Sequence, residues 1–267
     1  MSAMIMRGVG RLYACLMVLF LLSPLVVVVI LSFSSTSFIA FPPRGWSLRW
    51  YEQLVEDTQI RESLLFSLQI AGIATVLALL IALPTAVLLV RHRFRGRNML
   101  RALALSPLVL PEVLLALALL LYMQNGLHIR PSIWTLTVGH LLVIFPFSLQ
   151  LISSAMGDLG PELEEAGITL GATPARAFWL IAIPAMLPSI AAAALFSFIF
   201  SFDNVAISLF LSVPGHVTLP VRMFELANTT NDPSLSSISS VLILAGAILM
   251  AVLGRFKLFD GVVNARQ

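Results

Sequence analysis

Two acids interrupt otherwise apolar stretches of this sequence. Glu112 follows Pro111, and Asp203 lies in Phe198-Ile199-Phe200-Ser201-Phe202-Asp203-Asn204. A charge at the centre of a bilayer costs at least about 2.5–3.5 kcal/mol on insertion scales, so it faces a cavity or a partner. The spot at Asp203 and Asn204, ringed by aromatics, has the chemistry to receive a cationic or amine-bearing solute. The competing reading is a helix–helix hydrogen bond or a place near the membrane edge. Glu112 is expected to serve structure before substrate, capping a helix broken around Pro111. A third acidic group, Glu162, Glu164 and Glu165, sits between two apolar runs. Other chemistries lack their residues. No GxxxxGK[ST] loop is present, so ATP is not expected to bind this chain, and neither HExxH nor GxSxG occurs. His92, His128, His140 and His216 are scattered, and His140, inside an apolar run, reads as a hydrogen-bonded core residue. The single cysteine, Cys15, excludes an intrachain disulfide frame and a CxxC metal pattern.

The elements that must hold these residues are membrane spans. Of 267 residues, 59% are hydrophobic and 11% charged, against about a quarter charged in a soluble domain. Six stretches reach the roughly 20 apolar residues that a crossing helix needs: Leu12–Leu31, Leu64–Val90, Ala102–Met123, Ile133–Leu151, Leu187–Leu211 and Ile238–Leu253. The first is too long for a signal-peptide core and is read as a permanent span. Basic residues set the orientation. Eleven of the sixteen fall on one side of a six-span chain: Arg7, Arg11, the cluster from Arg91 to Arg101, Arg176, Arg255, Lys257 and Arg266. Both termini are therefore expected in the cytoplasm, and the basic residues mark topology, not a nucleic-acid surface. The loop after span 1, with Phe38, Phe41, Trp46, Trp50 and Tyr51, is expected outside. Pro84, Pro107, Pro111 and Pro146 fall inside apolar runs. They read either as ordinary kinks in a packed bundle or as bends shaping a gated path.

The segment from Gly157 to Pro174 predicts an elbow of two short helices. Pro161 suits a first helical turn, and Glu162, Glu164 and Glu165 complement the positive end of the helix dipole. Leu163, Ala166, Gly167 and Leu170 share one narrow face suited to close packing. Gly171 is the expected left-handed stop. Thr173-Pro174 then starts a second helix, predicted to end before Pro184. Such an elbow fits either a docking partner or a bilayer surface. The acidic polar face favours the partner, because surface-lying helices usually carry Lys and Arg.

The spacing Glu165-Ala166-Gly167, then Gly171, then Ile181-Ala182-Ile183-Pro184 resembles the loop signature of permease subunits of binding-protein-dependent ABC importers. Two positions depart from it: Gly167 stands for an alanine and Ile183 for a leucine. Pro111-Glu112, Ser201-Phe202-Asp203-Asn204 and Leu219-Pro220 resemble the spermidine/putrescine-type branch, which more often has a second acid where Asn204 stands. The resemblance covers about residues 64 to 254.

The expected fold class is all-α: a polytopic protein of the cytoplasmic (inner) membrane with six transmembrane helices and a short cytoplasmic elbow. Its expected divisions are residues 1–63, first span and external loop; 64–255, the transport core; and 256–267, a cytoplasmic tail. The resemblance implies a non-enzymatic permease subunit that passes a small solute, polyamine-like or another amine or cation, from a binding protein into the cytoplasm. It implies coupling to the ATPase through Glu164, Glu165, Ala166, Gly167, Gly171 and Pro184. Asp203, Asn204 and Glu112 are the candidate substrate path. The implied partners are a second, different permease, two ATPase subunits carrying ATP and Mg, and an extracytoplasmic solute-binding protein; no cofactor is expected on this chain. The alternative is a secondary transporter or channel, which paired broken helices or inverted repeats would favour. An intramembrane enzyme is disfavoured by the missing catalytic groups.

Overall fold

The computed structural model describes residues 2–229 and 233–255, so the expected tail from residue 256, with Lys257 and Arg266, lies outside the described residues. The described residues form α-helices and short 3-10 and π turns, with isolated bridges only at Ser34–Trp46 and Val213–His216. The helices are α1 (Ser2–Ser32), α2 (Arg49–Glu56), α3 (Thr58–Arg91), α4 (Arg97–Leu105), α5 (Glu112–Leu121) and α6 (Ile133–Leu159). They continue with α7 (Glu162–Thr169), α8 (Pro174–Ala177), α9 (Ile183–Phe202), α10 (Ala206–Phe210), α11 (Leu219–Thr229) and α12 (Ser234–Arg255). Among the described residues, five continuous helical stretches are long and apolar enough to cross a membrane, and a pair bent by 103° makes a sixth if it is one span. The chain divides into two compact units, residues 1–61 with 225–252 and residues 62–224 with 253–267.

In the first unit, the segment after α1 folds back on itself. Ser35 N–H donates to the Gly45 carbonyl at 3.0 Å and Ser47 N–H to the Phe33 carbonyl at 2.8 Å. Trp50 is 6% exposed, and its indole N–H donates to the Ser34 carbonyl at 2.9 Å. The Arg49 guanidinium lies 4.3 Å above its ring. Trp46 and Phe41 remain exposed.

The second unit is organised around α6, whose start is fixed by a capping box: Thr135 N–H donates to Ser132 Oγ, and Ser132 N–H to Thr135 Oγ1. One face of α3 presents Ala74, Ala78, Ala82 and Ala86, every fourth residue and each fully buried. Small side chains at this spacing let two backbones approach closely, which is how helices gain packing in lipid. Ala74 and Ala78 meet Ile144, and Ala82 and Ala86 join a cluster with Leu149, Ile152 and Met186. On its other side α6 runs along α9, joined by Ser148 and Ser197 (Oγ···Oγ 2.6 Å). His140 is buried, as expected, and bridges Ser201 at 2.8 Å and Ser208 at 3.1 Å. Each such interhelical bond contributes about 0.6 kcal/mol on average in a membrane. At Gly139 a Cβ would stand 2.5 Å from Leu211 and 2.7 Å from Ile207, so α10 packs against α6 only because this residue has no side chain.

Span 3 departs from the expected single helix over residues 102–123. Arg97–Leu108 and Glu112–Gly126 meet at 103° around residues 109–111. Pro107 lies in a 3-10 turn and Pro111 directly precedes α5. Proline lacks the N–H to continue the ladder and pushes the preceding residue out of the helical region. Pro84 and Pro146, by contrast, sit inside continuous helices. The second elbow helix does not end before Pro184 either. A π turn over Phe178–Ala182 carries it into α9, giving one stretch from Pro174 to Phe202. The wider turn lies ahead of Pro184, where the ring would otherwise crowd the preceding helical turn.

Candidate functional site

Two places in the second unit gather the residues that the sequence singled out. The first is the elbow. Helix α6 stops at Gly160, whose φ of 65° is left-handed. Pro161 then occupies the N-cap of α7, and Glu162, Glu164 and Glu165 fill its first turn. Gly171 has φ 94°, and its N–H donates to the Ile168 carbonyl at 2.9 Å, which turns the chain out of α7. Thr173 caps α8, its Oγ1 accepting from Arg176 N–H at 3.3 Å.

Of the face expected to pack closely, only Gly167 does so within the chain. It is buried, and a Cβ there would collide with Ile181 Cδ1 of the π turn. The glycine that departs from the signature thus fits the isoleucine that keeps to it. Leu163 and Leu170 are 50% and 90% exposed, Ile168 is exposed as well, and Ala166 and Glu165 share this open surface. Glu164 does not: it pairs with Arg91 at 2.5 Å, and both are mostly covered. Pro184 lies in the first turn of α9, away from any terminus of the elbow. Arg91 was visible in the sequence only as a topology marker, because nothing in spacing links positions 73 residues apart.

The second place is where two helices are interrupted. Glu112 opens α5, where its charge suits the N-terminal dipole, but its side chain makes no capping bond. Instead Glu112 Oε1 accepts from the Asn204 amide. Asn204 is buried, and its Oδ1 accepts from Ile207 N–H at 2.8 Å, holding the start of α10. One side chain therefore ties the break after α9 to the break before α5. Asp203 closes α9 and is exposed, with no side-chain hydrogen bond or ion pair among the described residues. Aromatic pairs stand nearby on the same chain: Phe198 stacks with Phe202 at 6.1 Å, and Phe200 packs on Phe147 at 4.5 Å. The arrangement offers one carboxylate without a side-chain partner among the described residues and one that accepts a hydrogen bond from a neutral amide. That set can hold a cation, and no cluster of metal ligands occurs among the described residues.

The chain is similar to known proteins in sequence and in fold. The family described as the binding-protein-dependent transport system inner membrane component matches residues 74–258. The putrescine transport system permease protein PotI of Escherichia coli strain K12 is 33% identical over 236 residues, 86% of this chain and 84% of its own length. The spermidine/putrescine transport system permease protein PotC of Haemophilus influenzae is 28% identical over 234 residues, covering 87% and 90%. In fold, the chain resembles a bacterial ABC transporter involved in importing the acidic polysaccharide alginate, with a TM-score of 0.74, 16% identity and coverage of 96% and 98%. It also resembles the MetNI methionine ABC transporter, with a TM-score of 0.60, 17% identity and coverage of 76% and 95%.

Proposed function

This chain belongs to the family of binding-protein-dependent transport system inner membrane components, and on that premise we propose that it is one half of an ATP-driven import path for a polyamine or similar amine. Its role is multi-pass transport, not catalysis. ATP and Mg bind a separate pair of ATPase subunits, a second and different permease completes the path, and an extracytoplasmic binding protein delivers the solute.

The observation that carries the reading is the elbow. A short acidic helix is fixed to the spans at Gly167 and Glu164 while Leu163, Ile168 and Leu170 stay uncovered within the chain. Exposed apolar side chains on a rigid, anchored helix suit a groove on a partner, and Glu165, Ala166 and Gly171 complete the contact. The polyamine choice rests on the names of the relatives and on Asp203, an unpaired acid at a helix break. The broken span 3 is a feature that secondary transporters share. Family membership and the exposed elbow favour an ATPase-driven subunit over one.

The distribution of basic residues supports both termini lying in the cytoplasm, on the elbow's side. Reporter fusions at the two ends read this directly. The test of function is uptake of labelled putrescine by cells lacking the chain and by the same cells with it restored. Uptake returning with the chain, and failing when cellular ATP is depleted, is the expected result. Uptake that persists after ATP depletion with the proton gradient intact contradicts the reading.

A further inference from the structure

Arg91 is the last residue of α3. One of its terminal nitrogens donates both to Glu164 Oε1 on α7, at 2.5 Å, and to the carbonyl of Gly160, at 3.2 Å, where α6 ends. A single guanidinium therefore joins three elements: the end of span 2, the end of span 4 and the elbow. The pair is mostly covered, with side-chain exposures of 21% and 18%, which limits solvent screening relative to a free surface pair. Two turns before Arg91, α3 contains Pro84. Proline leaves the Leu80 carbonyl without its helical donor, and a helix bends most readily there. A cavity of about 590 Å³ flanks this point, lined on one side by Leu80, Pro84 and Val87 and on the other by Phe178 and Trp179 of the π turn. The two irregular places in these helices thus face one open space, and each is tied to α7: one through Arg91, the other through Gly167 against Ile181.

We propose that Arg91 is the positioning residue that carries movement of the elbow into span 2, bending residues 85–91 about Pro84 into the cavity beside the π turn. This rests on the reading of α7 as the ATPase-facing helix. Elbow motion reaches α9 through the covalent chain. It reaches α3 through non-covalent contacts, and among the described residues the Arg91–Glu164 pair is the ion pair that joins α7 to α3. Breaking the pair leaves α7 attached to α8, and α3 packed on α6, but removes the direct charged link from α7 to the end of α3.

The test uses the full chain with its partner subunits, purified from membranes in a Cys15→Ser background with Val87→Cys as a reporter in the cavity wall. The labelling rate of Val87→Cys by a thiol reagent is measured with and without a non-hydrolysable ATP analogue. With Arg91 and Glu164 intact, nucleotide shifts the rate by roughly two- to thirtyfold, the range of coupling carried by residues remote from both sites. In Arg91→Glu the shift is lost while the ATPase still co-purifies. In the exchanged pair, Arg91→Glu with Glu164→Arg, it returns to within about a factor of two. Where Arg91→Glu lowers abundance, Arg91→Gln, which keeps a donor for Gly160, replaces it. A nucleotide-dependent shift that survives in the Arg91 variants overturns the proposal, as does no shift in the intact chain or no rescue by the exchange. Failure of the ATPase to co-purify with the intact chain is a different outcome, since it removes the parent reading as well.

Discussion

At the scale of single residues, an acid within a membrane span has to be met by a partner or by a cavity. Glu112 and Asp203 stand out because an acid in an apolar run is expensive. That cost says nothing about which residue meets it, and Asn204, 92 positions from Glu112, becomes its partner only through the fold. The structure separates roles that the sequence left together. Asn204 is buried between two helix breaks, whereas Asp203 is exposed and without a side-chain partner among the described residues. Replacing Asn204 by Leu leaves the Glu112 carboxylate and the Ile207 N–H unsatisfied, at about 1–3 kcal/mol for each group that stays buried. Subunit abundance is expected to fall. Asp203→Asn and Asp203→Leu remove no internal bond, so both are expected at normal abundance, with reduced uptake of a cationic amine. Quantitative immunoblots beside uptake decide this. Full uptake by Asp203→Asn takes Asp203 out of the path, and loss of abundance in Asp203→Leu assigns it to packing.

At the scale of elements, apolar length located five continuous candidate spans and the bent pair that makes a sixth, while ends and breaks, such as that of span 5 at Phe202 instead of Leu211, depended on local chemistry. Span 2 begins at Thr58, six residues before the expected Leu64, because Asp57 Oδ1 accepts from Gln59 and Ile60 N–H at 2.8 and 3.1 Å and starts the helix there. Four prolines looked alike in sequence, yet only around Pro111 does a span turn through 103°. Pro146 is accommodated in the continuous, well-buried α6. The stop at Gly171 and the cap at Thr173 were readable because they are local devices. The continuation past Pro184 was not, since a π turn has no distinct residue pattern. The alanine ladder of α3 was also present in the sequence, but which helix it approaches is a tertiary fact. Ala78 is fully buried beside Ile144, so Ala78→Leu adds volume where none is free. A destabilisation of about 1–3 kcal/mol is expected, seen as lower thermal stability in detergent. A matched change on the open face, Leu80→Ala, serves as the control and is expected to alter stability less.

At the scale of the whole molecule, the chain has one compact unit built on α6 and another containing most of spans 1 and 6. Span 1 is almost bare, with only 6% of its apolar window buried. In a membrane that surface meets lipid or another subunit, and a single chain of six spans has little material with which to enclose a path. Assembly is therefore central to the proposed function, and the elbow is the proposed attachment point of the ATPase. Gly171 tests that attachment directly. Its φ of 94° is closed to proline, which is held near −65°, and its N–H bond to Ile168 would be lost as well. The decisive measurement is ATP hydrolysis in complexes purified through a tag on this chain, comparing the unaltered protein with Gly171→Pro at equal membrane abundance. The account predicts hydrolysis that co-purifies with the unaltered chain and is lost with the variant. No hydrolysis in the unaltered complex, or full hydrolysis retained by Gly171→Pro, would contradict it.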